Sequence, residues 1–183
     1  MQREYAIDVV WEPFELHPDI PLSGIPMTEQ MRLSRAPSTE RLRTLAAEAG
    51  IVMTPISLIP NSRLALEAAE FAREAGCFNA FHRALFAALF TNDQNIGDGS
   101  VLIQLAGEAG MNREAMRAAL TERTYRTAVD EKIAWARERG ITGAPTFVFD
   151  DRFEIVGAQE YAVFENVAQR MGAERRKGRG AER

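Results

Sequence analysis

The stretch Gly140-Ile141-Thr142-Gly143-Ala144-Pro145-Thr146-Phe147-Val148-Phe149-Asp150 carries the clearest structural signal in the chain. It predicts the end of a helix at Gly140, a short loop, and a strand that begins directly after Pro145. Proline is tolerated there in trans, but tight turns that lead into strands are also where cis X-Pro bonds persist. A cis bond would turn the backbone groups of Ala144 outward, towards an extended ligand. We therefore expect Ala144, Pro145 and Thr146 to bind substrate; the alternative is a turn that is only structural.

A β-hairpin and a final helix follow this loop. Residues 147–149 and 153–156 are aromatic and β-branched and flank Asp150-Asp151-Arg152, which predicts a hairpin. Residues 157–159 lead into a helix that ends near Met171. Residues 173–183 hold Arg, Lys, Gly and Glu and almost nothing apolar, so they are predicted to be a disordered tail.

Ahead of the loop, the apolar residues recur with a helical period. Ser38 is the expected cap of a first helix that Gly50 ends, and Asn61 is the expected cap of a second that Gly76 ends. Further helices are predicted over residues 77–90, 100–109, 113–122 and 125–139.

A strand is predicted near the N-terminus. Residues 7–16, with the sequence Ile-Asp-Val-Val-Trp-Glu-Pro-Phe-Glu-Leu, are rich in β-branched and aromatic side chains. The order strand, helices, hairpin, helix predicts an α/β fold in which helices cover a three-stranded sheet.

The composition argues against several classes of partner. The 183 residues carry a net charge of -4 and give a pI near 5.4, which disfavours nucleic acid and anionic membranes. No apolar run approaches the length of a membrane span. The single cysteine fits a reducing, cytoplasmic compartment, and two His with one Cys at unrelated spacings predict no metal site.

Four segments point to a known family: Trp11-Glu12-Pro13-Phe14-Glu15-Leu16-His17-Pro18-Asp19, Pro60-Asn61-Ser62, residues 142–149, and Val156-Gly157-Ala158-Gln159. Together they resemble DsbA-like thioredoxin-fold proteins of the FrnE-like branch. The resemblance implies a thioredoxin-like core over residues 1–27 and 140–172, with a helical insertion and connecting helix over residues 28–139. The next nearest families are 2-hydroxychromene-2-carboxylate isomerases and kappa-class glutathione transferases.

The resemblance also implies a function whose reactive group is expected to be missing. Family members are protein thiol–disulfide oxidoreductases that act through a Cys-x-x-Cys segment in a β-α unit before the strand at residues 7–16. By the resemblance that strand begins near Tyr5 and only residues 1–4 stand before it, so we expect the first strand and the cysteine pair to be absent, and this chain to be inactive with no catalytic residue. Two alternatives stay open: a glutathione-dependent isomerase or transferase, and a non-catalytic peptide-binding module.

The glutathione-linked relatives add Asn61 and Gln159 as candidate substrate-binding residues. Asn61 has a structural alternative as a helix cap, and Gln159 can cap the last helix or face a cleft. The implied partners are a protein substrate with a thiol or disulfide, or glutathione, and no other cofactor is expected.

Cys77 is the one thiol that could replace the missing pair. It can stand in the first turn of a helix, where a thiol is activated, but Phe78 and Phe81 predict that it is buried and structural. His82 follows five residues later, which is not one helical face, so no Cys-His pair is expected.

A missing first strand would leave the two predicted core strands facing a gap. Unpaired buried backbone groups cost about 1–3 kcal/mol each, so the gap cannot stay open. Three outcomes are open: a gene that starts upstream, a strand supplied by a partner, or altered pairing. We expect a homodimer or a poorly stable monomer.

Overall fold

Helices make up most of the secondary structure in the computed structural model, which describes residues 1–176. These residues form seven helices and two small two-stranded sheets. In chain order the elements are β1 (Ile25–Pro26), α1 (Glu29–Glu48), β2 (Leu58–Ile59), α2 (Arg63–Glu74), α3 (Phe78–Phe90), α4 (Gly99–Glu108), α5 (Arg113–Glu122), α6 (Arg126–Glu138), β3 (Thr146–Phe149), β4 (Phe153–Val156) and α7 (Tyr161–Arg170).

The chain divides into two compact units. The hairpin unit comprises Met1–Leu16 and Ala134–Arg183, and the helical unit comprises His17–Ile133. The boundaries expected from the sequence lie at residues 27/28 and 139/140. In the structure the second boundary falls inside α6, so that helix belongs partly to each unit.

The helical unit is built around α2, α3, α4 and α5, which pack on one another. Ala68, Phe81, Leu102 and Met116 are fully buried where these helices meet. The bounds of α2 to α6 closely match those predicted from the helical period. Burial of one apolar face per helix is what stabilises such short helices, so the periodicity was a sufficient guide here.

Two buried glutamates on α2 tie this bundle to the chain that follows α5. Glu67 accepts hydrogen bonds from Arg63 at 2.9 Å and from Arg123 at 2.7 Å, and Glu70 accepts one from Lys132 at 2.8 Å. Burial acts to raise the pKa of Glu67, but the hydrogen bonds from Arg123 and Arg63 outweigh it and lower that pKa below its ordinary value. The carboxylate therefore stays ionised and holds α2 against Arg123, the residue directly after α5.

The hairpin unit contains β3, β4 and α7. The two strands pair antiparallel from Thr146 opposite Val156 to Phe149 opposite Phe153, which confirms the predicted hairpin. Asp150 and Asp151 take the left-handed conformation at the turn, with φ of 44° and 57°, which Asp tolerates better than most residues. One face of the hairpin contacts α7.

The contact between the hairpin and α7 is mainly apolar. The Phe147 ring meets the Phe164 ring edge to face, with 4.7 Å between centroids, and Ile155 beside it is buried. A two-stranded hairpin is marginal alone, so this helix is what stabilises it.

The strand predicted at residues 7–16 is wrong. These residues join no sheet among residues 1–176, and the pairing near them is one antiparallel bridge between Tyr5 and Arg175. A strand exists only when its backbone finds a partner, and Pro13 lacks an N–H donor. High β propensity alone could not supply that partner.

The expected cap at Ser38 is also wrong. α1 begins ten residues earlier, at Glu29, where the Thr28 hydroxyl accepts a hydrogen bond from the Met31 N–H at 3.2 Å. Pro37 lies inside the helix, where proline is normally unfavourable. None of the side chains of α1 is buried, so no packed apolar face marks the start of this helix in the sequence.

The predicted tail is partly ordered. The Ala6 N–H donates to the Glu174 carbonyl at 2.8 Å, and the Arg176 N–H donates to the Glu4 carbonyl at 2.7 Å. The disorder predicted from residue 173 is therefore wrong for residues 173–176, because backbone pairing fixes them without apolar side chains. The prediction for residues 177–183 lies outside the described residues.

Candidate substrate-binding site

The loop before β3 is held at both ends by short hydrogen bonds. The Ala144–Pro145 peptide bond is cis, one of the two isomers that the sequence allows at this position. The Thr146 hydroxyl donates to the Gly143 carbonyl at 2.8 Å, and the Gly157 N–H donates to the Pro145 carbonyl at 2.8 Å. These contacts fix Ala144, Pro145 and Thr146 at one end of the hairpin, with Pro145 against Gly157, the residue directly after β4.

One edge of β3 is paired and the other is open. In an antiparallel pair, hydrogen-bonded positions alternate with positions whose N–H and C=O groups point away from the partner. Because the Gly157 N–H bonds the Pro145 carbonyl, Phe147 and Phe149 point their backbone groups to β4. The backbone groups of Thr146 and Val148 point outward, to an edge that no strand within residues 1–176 occupies.

Gln159 lies at the same end of the hairpin. Its side-chain amide donates to the Val156 carbonyl at 2.9 Å, directly beyond the point where Val156 pairs with Thr146. The alternative that Gln159 caps the last helix is wrong, since Glu160 is the residue before α7. Gln159 is exposed, and its side chain is the hydrogen-bond donor to the carbonyl of the last residue of β4.

Asn61 belongs to the helical unit, and its side chain is fully engaged there. Its Oδ1 accepts a hydrogen bond from the Arg63 N–H at 2.9 Å, and its Nδ2 donates to the Ile20 carbonyl at 2.6 Å. Asn61 is buried, and a Cβ on Gly97 would lie 2.8 Å from its carbonyl oxygen. The N-cap of α2 is Ser62, so the expected cap at Asn61 is wrong by one residue. Asn61 lies directly before that cap and accepts the hydrogen bond from the Arg63 N–H, which is a structural role.

Cys77 is half-buried, so the expectation of a fully buried thiol is wrong. It packs against the edge of the helical core as the residue before α3, and its Sγ lies 3.5 Å from the Ala75 carbonyl. The neighbouring Phe81 takes the buried position instead, because it comes one turn later on the inward face of the helix.

His82 lies in a row of aromatic rings along α3. Its ring stacks on Phe78 with 5.1 Å between centroids and lies 4.7 Å from the ring of Phe86. Burial, with a smaller contribution from the Arg73 charge, lowers the pKa of His82. His17, the second histidine, lies exposed in a loop.

Metal-binding clusters and membrane-spanning helices are both absent from the described residues. Within residues 1–176, no three or more His, Cys, Asp or Glu side chains cluster closely enough to hold a metal ion. No helix in that part of the chain is both long and apolar enough to cross a bilayer.

Sequence reasoning did not single out Val148 or its cross-strand neighbour Glu154. Both lie on the face of the hairpin opposite Phe147 and Phe164, as the pairing register shows. The alternation within residues 146–149 and 153–156 carries this information, but only the register says which residues face each other.

Comparison with known proteins gives one consistent result. The family model described as the DSBA-like thioredoxin domain matches residues 1–169. The uncharacterized protein YwbO of Bacillus subtilis is 32% identical over 162 residues, which cover 87% of this chain and 80% of that protein. The crystal structure of a probable DsbA oxidoreductase from Streptomyces coelicolor superposes with a TM-score of 0.82 at 26% identity, covering 91% of this chain and 76% of that one.

Proposed function

Because this chain belongs to the family of DsbA-like thioredoxin domains, we propose that it binds an extended polypeptide bearing a thiol or disulfide along residues 143–149. Its fold is the thioredoxin-like α/β fold of that family with a large helical insertion. The observation that carries the proposal is the open edge of β3, which begins directly after the Ala144–Pro145 loop.

The binding is by strand addition. Thr146 and Val148 each present one N–H and one C=O at the open edge, so a ligand strand forms up to four backbone hydrogen bonds there. Each contributes about 1 kcal/mol. The Thr146 hydroxyl is already bound to the Gly143 carbonyl, which keeps the start of the edge in place before a ligand arrives.

The chain binds such a polypeptide without exchanging its disulfides. Exchange requires a thiolate that attacks and, for release, a second thiol. The 183 residues contain one cysteine, Cys77, so they hold no second thiol that could release a mixed disulfide. The 183-residue chain is therefore a docking module of an oxidoreductase family.

A synthetic peptide pair tests the binding site. An eight-residue peptide with one central cysteine is N-methylated at alternate residues, on the odd set in one version and on the even set in the other. Strand addition to one edge uses only one set of N–H groups, so one version loses affinity about tenfold or more and the other does not. Equal affinities for the two versions contradict strand addition.

Reduction of insulin by dithiothreitol tests the absence of turnover. The rate of insulin precipitation should be the same with the chain, with its Cys77→Ser variant and with neither. Acceleration by the chain that is lost in Cys77→Ser would show that Cys77 is a working nucleophile, and would overturn the docking proposal.

No contact favours the alternative of a glutathione-dependent isomerase or transferase. That alternative assigns Asn61 to the ligand, and both ends of its carboxamide are already bonded to Arg63 and Ile20. Glutathione should therefore fail to displace the unmethylated peptide at equal concentration.

Within the family we place the chain in the FrnE-like branch, supported by the segments at residues 11–19 and 156–159. A reducing cytoplasm is supported by the single cysteine in the sequence. Fractionation of cells that produce the tagged chain tests this location.

A further inference from the structure

The exposed face of the hairpin has a chemical character that selects among extended ligands. Side chains directly opposite each other in a sheet lie on the same face. Thr146 pairs with Val156, and Val148 pairs with Glu154, so these four side chains share one face. Glu154 and Val156 are exposed, the latter by 60%, and the face has one charged group, the Glu154 carboxylate.

The opposite face is apolar and partly buried. Phe147 pairs with Ile155 and meets the Phe164 ring of α7, while Phe149 pairs with Phe153. A strand that adds to the open edge of β3 therefore alternates between a face with one carboxylate and a face lined by aromatic rings.

Strand spacing sets which ligand side chain meets Glu154. Neighbouring strands lie about 4.8 Å apart, so a strand added beside β3 lies roughly 10 Å from β4. A long cationic side chain on the ligand residue opposite Val148 can extend across β3 towards β4. The Glu154 side chain extends from β4 in the other direction, so the two charged groups can meet above Val148. A short or acidic side chain at this position cannot form the contact.

We propose that Glu154 determines specificity: the chain prefers extended segments with Lys or Arg opposite Val148 and apolar residues on either side of it. The inference rests on the proposed function, because it assumes strand addition to β3. The apolar neighbours face Phe147 and Phe149, and the cationic residue pairs with Glu154 across the strand.

Two peptides that differ at one position test this proposal. Both have apolar flanking residues, and the central residue is Lys in one and Glu in the other. Wild-type chain at low ionic strength should bind the Lys peptide about threefold to tenfold more tightly, because the pair is exposed. Much of that difference should disappear in about 1 M salt, where the screening length falls to about 3 Å.

Charge reversal at Glu154 supplies the decisive variant. Glu154→Lys should reverse the preference, and Glu154→Gln should abolish it. Glu138→Lys, which makes the same charge change at an exposed residue of α6 in the hairpin unit, should leave the preference as in wild type.

The outcomes separate this inference from the proposed function. Binding of both peptides with equal affinity, or a preference that Glu154→Lys leaves unchanged, overturns the specificity role while strand addition stands. Binding of neither peptide overturns both. A preference that Glu138→Lys also reverses shows a general charge effect and overturns the role of Glu154.

Discussion

The side-chain amide of Asn61 is buried and forms its hydrogen bonds with the protein itself. Its two hydrogen bonds, to the Arg63 N–H and the Ile20 carbonyl, join the start of α2 to the loop before β1. Asn61→Ala should lower the free energy of unfolding by about 1–3 kcal/mol, because the partly buried Arg63 N–H and Ile20 carbonyl lose these hydrogen bonds. Urea unfolding measures this.

The control for Asn61 is Asn79→Ala, at an exposed position near the start of α3. It should change stability by less than about 0.5 kcal/mol. If Asn61→Ala keeps wild-type stability but loses peptide binding, then Asn61 serves the ligand and the structural assignment is wrong.

Glu67 is the carboxylate whose charge the fold depends on most. Removing one partner of a buried ion pair leaves the others uncompensated, so Glu67→Gln should cost about 3 kcal/mol at pH 7. The folded-state pKa lies below the ordinary value of 4.5, so this stabilisation is complete above pH 4.5 and is lost as the pH falls below it. Unfolding curves from pH 7 to pH 3 should therefore show the wild-type advantage shrinking only below that value.

Glu114→Gln is the matched control for Glu67. Glu114 also forms an ion pair, with Arg117 at 2.6 Å, but its side chain is 77% exposed. Exposed pairs contribute about 0–1 kcal/mol, so this change should be nearly neutral at all pH values. Equal costs for the two substitutions would contradict the role assigned to burial.

At the scale of elements, α1 stands apart from the other helices. It has 20 residues, a proline at position 37, and no buried side chain; Leu33, for example, is 67% exposed. Isolated helices are marginal in water, and an interior proline costs about 3 kcal/mol. Backbone amides of α1 should exchange with solvent at least about a hundredfold faster than those of α4.

Mass spectrometry after hydrogen exchange measures that difference, with Pro37→Ala as the matched variant. Restoring the missing N–H should slow exchange in α1 and leave α4 unchanged. Equal protection of α1 and α4 in the wild type would mean that α1 is covered in solution.

The elements that could be predicted from the sequence are those whose stabilising contacts show in the pattern of residues close together in the chain. The helices α2 to α6 show in the spacing of apolar residues, and the hairpin shows in two β-rich runs around Asp150-Asp151-Arg152. Residues 7–16 and 173–176 were assigned wrongly, because their state depends on whether their backbone finds a distant partner. The start of α1 was predicted wrongly from the cap residue Ser38, because the helix continues through Pro37 and has no buried face to mark its first turns.

The candidate site was predicted in part. Its loop, Ala144 to Thr146, followed from proline before a strand, whereas the open edge of β3 needed the pairing register. Asn61 and Gln159 entered by resemblance, and their hydrogen bonds place one at a helix start and one at a strand end.

Across the whole molecule, the two units differ greatly in their number of buried apolar residues. Of the 19 buried apolar residues in the described chain, 4 belong to the hairpin unit: Tyr5, Ala136, Ile155 and Ala168. The hairpin unit should therefore unfold at a lower temperature than the helical unit.

The two tryptophans make this prediction easy to check. Trp11 and Trp135 both lie in the hairpin unit, whereas α1 to α5 lie in the helical unit. On heating, the change in tryptophan fluorescence should precede the loss of helical circular dichroism. Coincident transitions would show one cooperative unit.

The central claim is that the outer edge of β3 receives an extended polypeptide, and amide exchange by NMR with and without a cysteine-containing peptide tests it most directly. The N–H groups of Thr146 and Val148 should exchange at least about tenfold more slowly in the complex, while those of Phe147 and Phe149, already bonded to β4, should not change. Unchanged exchange at Thr146 and Val148 under saturating peptide would contradict the account.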